Sequence, residues 1–147
     1  MYEKPEDISL ALIDIATPLA VAAIAHCQTQ YPSATLDIVK VITACGSLVH
    51  HQFGFVRDAV DNYSTEENTE LLEVKLRLLK LAAESTVQLL PSGQKDTISN
   101  DTLIAAVTTL YEHCVQSVCK QYEQFQSSYF ERNPKRRPQR RNGGYTF

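Results

Sequence analysis

The chain predicts an all-α fold: an antiparallel four-helix bundle over residues 1–131, followed by a disordered or extended basic tail over residues 132–147. Three observations carry this expectation. Apolar residues recur at spacings of three and four through four long stretches, which is the period of a helix face. No stretch shows the strict apolar–polar alternation of a strand. The composition then changes at Arg132, since Arg132 to Phe147 (RNPKRRPQRRNGGYTF) carries six Lys/Arg and no acid. Of 14 basic and 17 acidic residues, only 8 basic but all 17 acidic precede it, so the body sits near −9 and the tail near +6.

The first helix is expected at about 6–30. Pro5 suits a first turn, and Glu6 and Asp7 sit at the positive end of the helix dipole. Tyr31-Pro32 stops it. Pro18 removes one backbone bond partway, which predicts a kink or a restart capped by Thr17.

The second helix is expected at about 34–62, capped by Ser33, with Leu36, Val39, Ile42, Leu48, Phe53, Val56 and Val60 marking its apolar stripes. Gly46 and Gly54 inside it cost about 1 kcal/mol each in helix propensity, which predicts a close helix crossing or a bend. The third is expected at about 65–90. Ser64-Thr65-Glu66-Glu67 forms a capping box at its start, and Pro91-Ser92-Gly93 ends it. Along it Glu73 and Arg77 form an i,i+4 pair among Leu71, Leu76, Leu79 and Val87.

The fourth helix, about 100–132, is capped by Ser99-Asn100-Asp101. Its first half is apolar (Leu103, Ile104, Val107, Leu110, Val115, Val118). Its second half places Tyr122, Phe125 and Tyr129 three or four apart among glutamines. A helix of about 30 residues spans roughly 45 Å and outruns such a bundle, so these three aromatics read as an interface stripe.

At 147 residues and 44% apolar composition the chain is one domain with one core. Ile8 to Ala25 is apolar enough to suggest an export signal or a membrane span. Against both stand the acidic flank YEKPED and the interruptions Asp14 and Pro18. The expectation is a buried first helix, no membrane, and a cytoplasmic location. Cys27, Cys45, Cys114 and Cys119 have no C-x-x-C spacing, so they read as buried reduced thiols and not as a disulfide framework.

Those cysteines lie near His26, His50, His51 and His113, which raises a mixed Cys/His metal site between the second and fourth helices. No H-E-x-x-H or Glu-x-x-His supports it, and adjacent His50 and His51 point about 100° apart on a helix. The sequence therefore implies no metal and no cofactor. Catalysis is equally unmarked: there is no G-x-S-x-G elbow, and Ser92-Gly93-Gln94-Lys95 falls short of a P-loop. Arg57-Asp58 with Asn62-Tyr63 resembles, over seven residues, the R-polar-x-H motif of small helical ribonucleases of the HEPN class. The histidine that motif requires is absent here. A small helical nuclease is the alternative that this resemblance implies, with no catalytic residue assigned.

The tail is where function is legible. Pro134, Pro138, Gly143 and Gly144 exclude regular structure, and a solubility arm accounts for the charge alone. Lys135, Arg136, Arg137, Arg140 and Arg141 go further. Guanidinium binds phosphate bidentately and stacks on bases, and arginine-rich segments order on RNA. Tyr145 and Phe147 add two aromatic anchors on a flexible tether. The expectation is a non-enzymatic helical assembly subunit, docking through this tail on nucleic acid, RNA before DNA, or on an acidic protein surface. Its other partners would be protein subunits, itself among them. A protein–protein adaptor or self-assembling bundle without nucleic acid is the second alternative. In size and architecture the chain resembles small helical subunits of ribonucleoprotein machines, including CRISPR effector complexes. It departs from them in its acidic body, which leaves the tail to hold the nucleic acid.

Overall fold

The computed structural model describes residues 5–63, 71–90 and 97–132, which form α1 (Pro5–Gln30), α2 (Ile38–Asp61), α3 (Leu71–Leu89) and α4 (Asn100–Arg132). The all-α bundle is therefore observed. The capping box Ser64–Glu67 and the basic tail lie outside the described residues, as does the start expected for α3 at residue 65.

Chain direction alternates, but the four helices do not form a simple ring. α1 packs on α2 and α3, α4 packs on α3 and α2, and α1 and α4 barely touch. The cross-section is thus a rhomb with α2 and α3 on its short diagonal and α1 and α4 on the outside. Parallel helices become neighbours, α1 with α3 and α2 with α4.

The α2–α4 pair is fixed at both ends. The Asp37 backbone N–H donates to Oδ1 of Asn100 at 2.9 Å, and Nε2 of Gln126 donates to the Tyr63 carbonyl at 3.5 Å. Lys40 Nζ also reaches Asp101 Oδ1 at 2.9 Å, an exposed pair that adds little. At the opposite end Lys75 Nζ meets Asp61 Oδ1 at 2.7 Å, largely out of solvent, and joins the end of α2 to the start of α3.

The core is aliphatic: Leu19, Val41, Val49, Val56, Val60, Leu79, Val107 and Val115 are all but inaccessible. One polar side chain crosses it. Tyr111 is fully buried, and its hydroxyl donates to the Leu79 carbonyl of α3 at 3.2 Å. Buried Thr86 satisfies itself by donating to the Ala82 carbonyl one turn back at 2.8 Å.

One local expectation is corrected and two are narrowed. α2 begins at Ile38, and its cap is Asp37, whose side chain accepts the Lys40 N–H at 3.1 Å; Ser33 caps nothing, because residues 31–37 carry the chain across the bundle end. α1 runs through Pro18 without a restart. Pro18 lies on the exposed side, as does Asp14, whose carbonyl loses its helical donor there. Gly46 and Gly54 mark no tight crossing: a Cβ at Gly46 would meet nothing within 4 Å, and one at Gly54 only Nη2 of Arg57 at 3.9 Å. The cap at Ser99 is as expected. Its Oγ accepts the Thr102 N–H at 3.1 Å, and its carbonyl accepts the Leu103 N–H at 3.0 Å.

Candidate docking surfaces

The C-terminal end of α4 gathers the aromatic residues. α4 has 33 residues against 24 in α2, and because their N-termini are level α4 continues beyond the last turn of α2. The stripe divides there. Tyr122 is half-buried against the core, and its hydroxyl accepts from Nε2 of Gln126 at 3.4 Å. Burial pushes its phenol pKa upward, opposed in part by that contact. Phe125 is 71% exposed and Tyr129 40%. The three expected interface residues therefore have different roles. Tyr122 is an inward anchor that also holds Gln126 on Tyr63, while Phe125 presents its ring to solvent.

Below the stripe the environment is less polar than the sequence suggests. Burial raises the pKa of Glu123, with Lys120 opposing it. Burial, reinforced by the Glu123 charge, pushes the Cys119 thiol up to about 12. The tail residues Lys135, Arg136, Arg137, Arg140, Arg141, Tyr145 and Phe147 lie outside the described residues.

Asn62 closes α2 beside this end. Its side chain is 4% exposed, and neither Oδ1 nor Nδ2 has a hydrogen-bond partner among the described residues. Sequence reasoning placed it with Arg57 and Asp58 in a ribonuclease-like group. The helix separates them instead: Arg57 Nε pairs with Asp58 Oδ1 at 3.5 Å on the surface, whereas Asn62 turns inward.

The histidines and cysteines also diverge. Cys27, Cys45, Cys114 and Cys119 are free and buried, while His50, His51 and His113 are exposed. The adjacent residues His113 and Cys114 show why: 100° of helix rotation sends one outward and the other into the core. Among the described residues no three metal-binding side chains converge.

The second surface was not anticipated as a site. α1 is the one helix among the described residues long and apolar enough to cross a membrane by length and composition. Its inward face alternates small and large residues, with Ala11, Ala16, Ala20 and Ala23 beside Leu12, Ile15, Leu19 and Ile24. Its outward face also carries large apolar residues: Leu10, Ile13 and Val21 are each more than half exposed. A groove of about 650 Å³ runs between α1 and α3, with Asp14, Pro18 and Ala22 on one wall and Lys80, Leu81 and Ser85 on the other. An apolar segment with no clear periodicity hides this in the sequence, since α1 is hydrophobic all round.

No protein-family model, curated protein or solved structure matches the chain.

Proposed function

We propose that the chain is a non-enzymatic helical assembly subunit of a cytoplasmic ribonucleoprotein complex, held on nucleic acid by its arginine-rich C-terminal segment. The observation that carries this reading is the charge division, near +6 in sixteen residues against near −9 in the body. An acidic bundle repels a phosphate backbone, so binding must be delegated to the segment that lacks acids. Five of its six basic residues are arginine, which favours the bidentate and stacking contacts of RNA recognition.

The bundle supports this reading as a mount. α4 carries the chain past the end of α2 and delivers it to the tail, with Phe125 exposed two turns earlier as a stacking or packing surface. Six basic residues contact about four to six phosphates, giving sequence-blind affinity in roughly the micromolar range. The test is binding of a labelled generic RNA, and of DNA of matched length, to the full chain and to a variant carrying Arg136→Gln, Arg137→Gln, Arg140→Gln and Arg141→Gln. Binding by the native chain that disappears in the variant supports the proposal. Equal binding by both, or none by either, rejects it and leaves an acidic protein surface as the tail's partner.

A further inference from the structure

We propose that the α1–α3 face is a self-association surface on which a second copy of this chain packs in a two-fold, isologous dimer. Leu10, Ile13, Val21 and Ala25, with half-buried Thr17 between them, recur at spacings of three and four, so the exposed apolar residues of α1 form one stripe and not scattered positions. Leu12, Ile15, Leu19 and Ile24 already fill the inward face, so Leu10, Ile13 and Val21 give α1 a second set of large apolar side chains that a helix at the edge of a monomer does not require. Only one charge, Asp14, interrupts the stripe, and α1 contains no Lys or Arg.

The neighbouring helix supplies the complement. α1 and α3 lie side by side and run the same way, and Asp14 and Lys80 face each other across the groove at one level. A two-fold axis along that groove lays α1 of each copy on α3 of the other with the levels preserved. Asp14 of one copy then meets Lys80 of its partner, and the reverse pair forms by symmetry. The same operation sets Pro18 and Val21 over Leu81 and Ser85. Arg77 and Glu84 flank Lys80 on the same wall, so the face carries two bases and two acids and is balanced in charge as well as apolar, whereas the strongly acidic remainder of the body repels a second copy.

A lipid surface fits less well. Helices that lie on membranes flank their apolar face with Lys/Arg, whereas α1 has none. The Asp14 carboxylate, one of two on this face with Glu84, is costly in hydrocarbon even with Lys80 across the groove. In the dimer that carboxylate is paired. The stripe from Leu10 to Ala25 is about 23 Å long and the two-helix face ~20 Å wide, on the order of 460 Å² in projection. A standard interface takes about 800 Å² of accessible surface per partner, so the dimer is concentration-dependent and not permanent.

The experiment is sedimentation equilibrium of the full chain from about 5 to 500 µM, repeated on Asp14→Lys, on Lys80→Asp, and on an equimolar mixture of the two variants. Each single variant places like charges at both symmetric pairs and is expected to weaken the dimer at least tenfold. Mixing them recreates two opposite-charge pairs across the interface, so a heterodimer returns while neither variant self-associates. A pairing within one copy cannot produce that rescue. Val21→Glu, whose helicity is checked by circular dichroism, is expected to abolish the dimer, and the four-arginine variant of the tail to leave it intact. The proposal is overturned by a native chain monomeric throughout, or by dimers indifferent to Asp14 and Lys80. Loss in both single variants without rescue on mixing overturns it too. Val21-dependent binding to phosphatidylcholine–phosphatidylserine vesicles without a dimer overturns it in favour of a lipid surface.

Discussion

Asp37 and Asn100 join the starts of two parallel helices, the Asp37 N–H donating to the Asn100 side chain at 2.9 Å across 63 residues of sequence. Gln126 and Tyr63 repeat the same separation at the far end. Both contacts are satisfied together only in one register of α2 on α4, which is what sets how far α4 projects beyond the bundle. Removing the acceptor with Asn100→Ala frees a donor that solvent can reach, so the expected loss is modest, about 0.5–1 kcal/mol. Urea unfolding checks it, with the midpoint falling at unchanged slope.

Asn62 should be a position where the native residue is not the most stable one. Its amide is buried with no partner among the described residues, and leucine has nearly the same shape. Asn62→Leu is expected to stabilise the chain by roughly 1 kcal/mol, because the desolvation cost of the amide disappears. Thermal unfolding measures it. A fall in Tm would mean that a buried water or another group satisfies the amide.

Gly46→Ala and Gly54→Ala are each expected to add about 0.5–1 kcal/mol, by restoring helix propensity at sites with room for the methyl group. The midpoints of the two single variants and the double variant test this, and the effects should add because the sites lie two turns apart.

How much of this was legible differs by element. Both ends of α1 and the start of α4 follow from Pro5, Tyr31 and the Ser99 cap, all local chemistry. The start of α2 was not, since Ser33 and Asp37 are equally good caps in sequence. What selects Asp37 is the contact with Asn100, 63 residues away. Tyr111 was passed over because it is polar, although its i±4 partners Val107 and Val115 are both core residues and marked the face. The outward face of α1 was illegible for a different reason. A helix apolar all round gives no direction, and only its place at the edge of the rhomb decides which side is open. The tail runs the other way, being read wholly from sequence.

The buried thiols make stability pH-dependent at the alkaline end. Burial lifts Cys45 to about 11, and Cys119 to about 12 with Glu123 adding to burial, against 9.0 for a free thiol. Above pH 9 the unfolded chain has lost those protons while the folded chain retains them, so unfolding is favoured increasingly as pH rises. Below pH 9 this contribution is fully present and flat. Stability measured from pH 8 to 11 should therefore decline, and Cys119→Ala should flatten the decline at some cost in packing. In line with this burial, the four thiols should resist a thiol-specific reagent at pH 8 until denaturant is added.

The most direct test of the tail's role is the salt dependence of RNA affinity. For single strands each phosphate contact contributes about −0.7 to the slope of log K against log salt, so four to six contacts predict a slope of about −3 to −4 for the full chain. With Arg136, Arg137, Arg140 and Arg141 replaced by Gln, the slope should fall by more than half. A slope unchanged by those substitutions would place the phosphate contacts on the bundle and contradict the account.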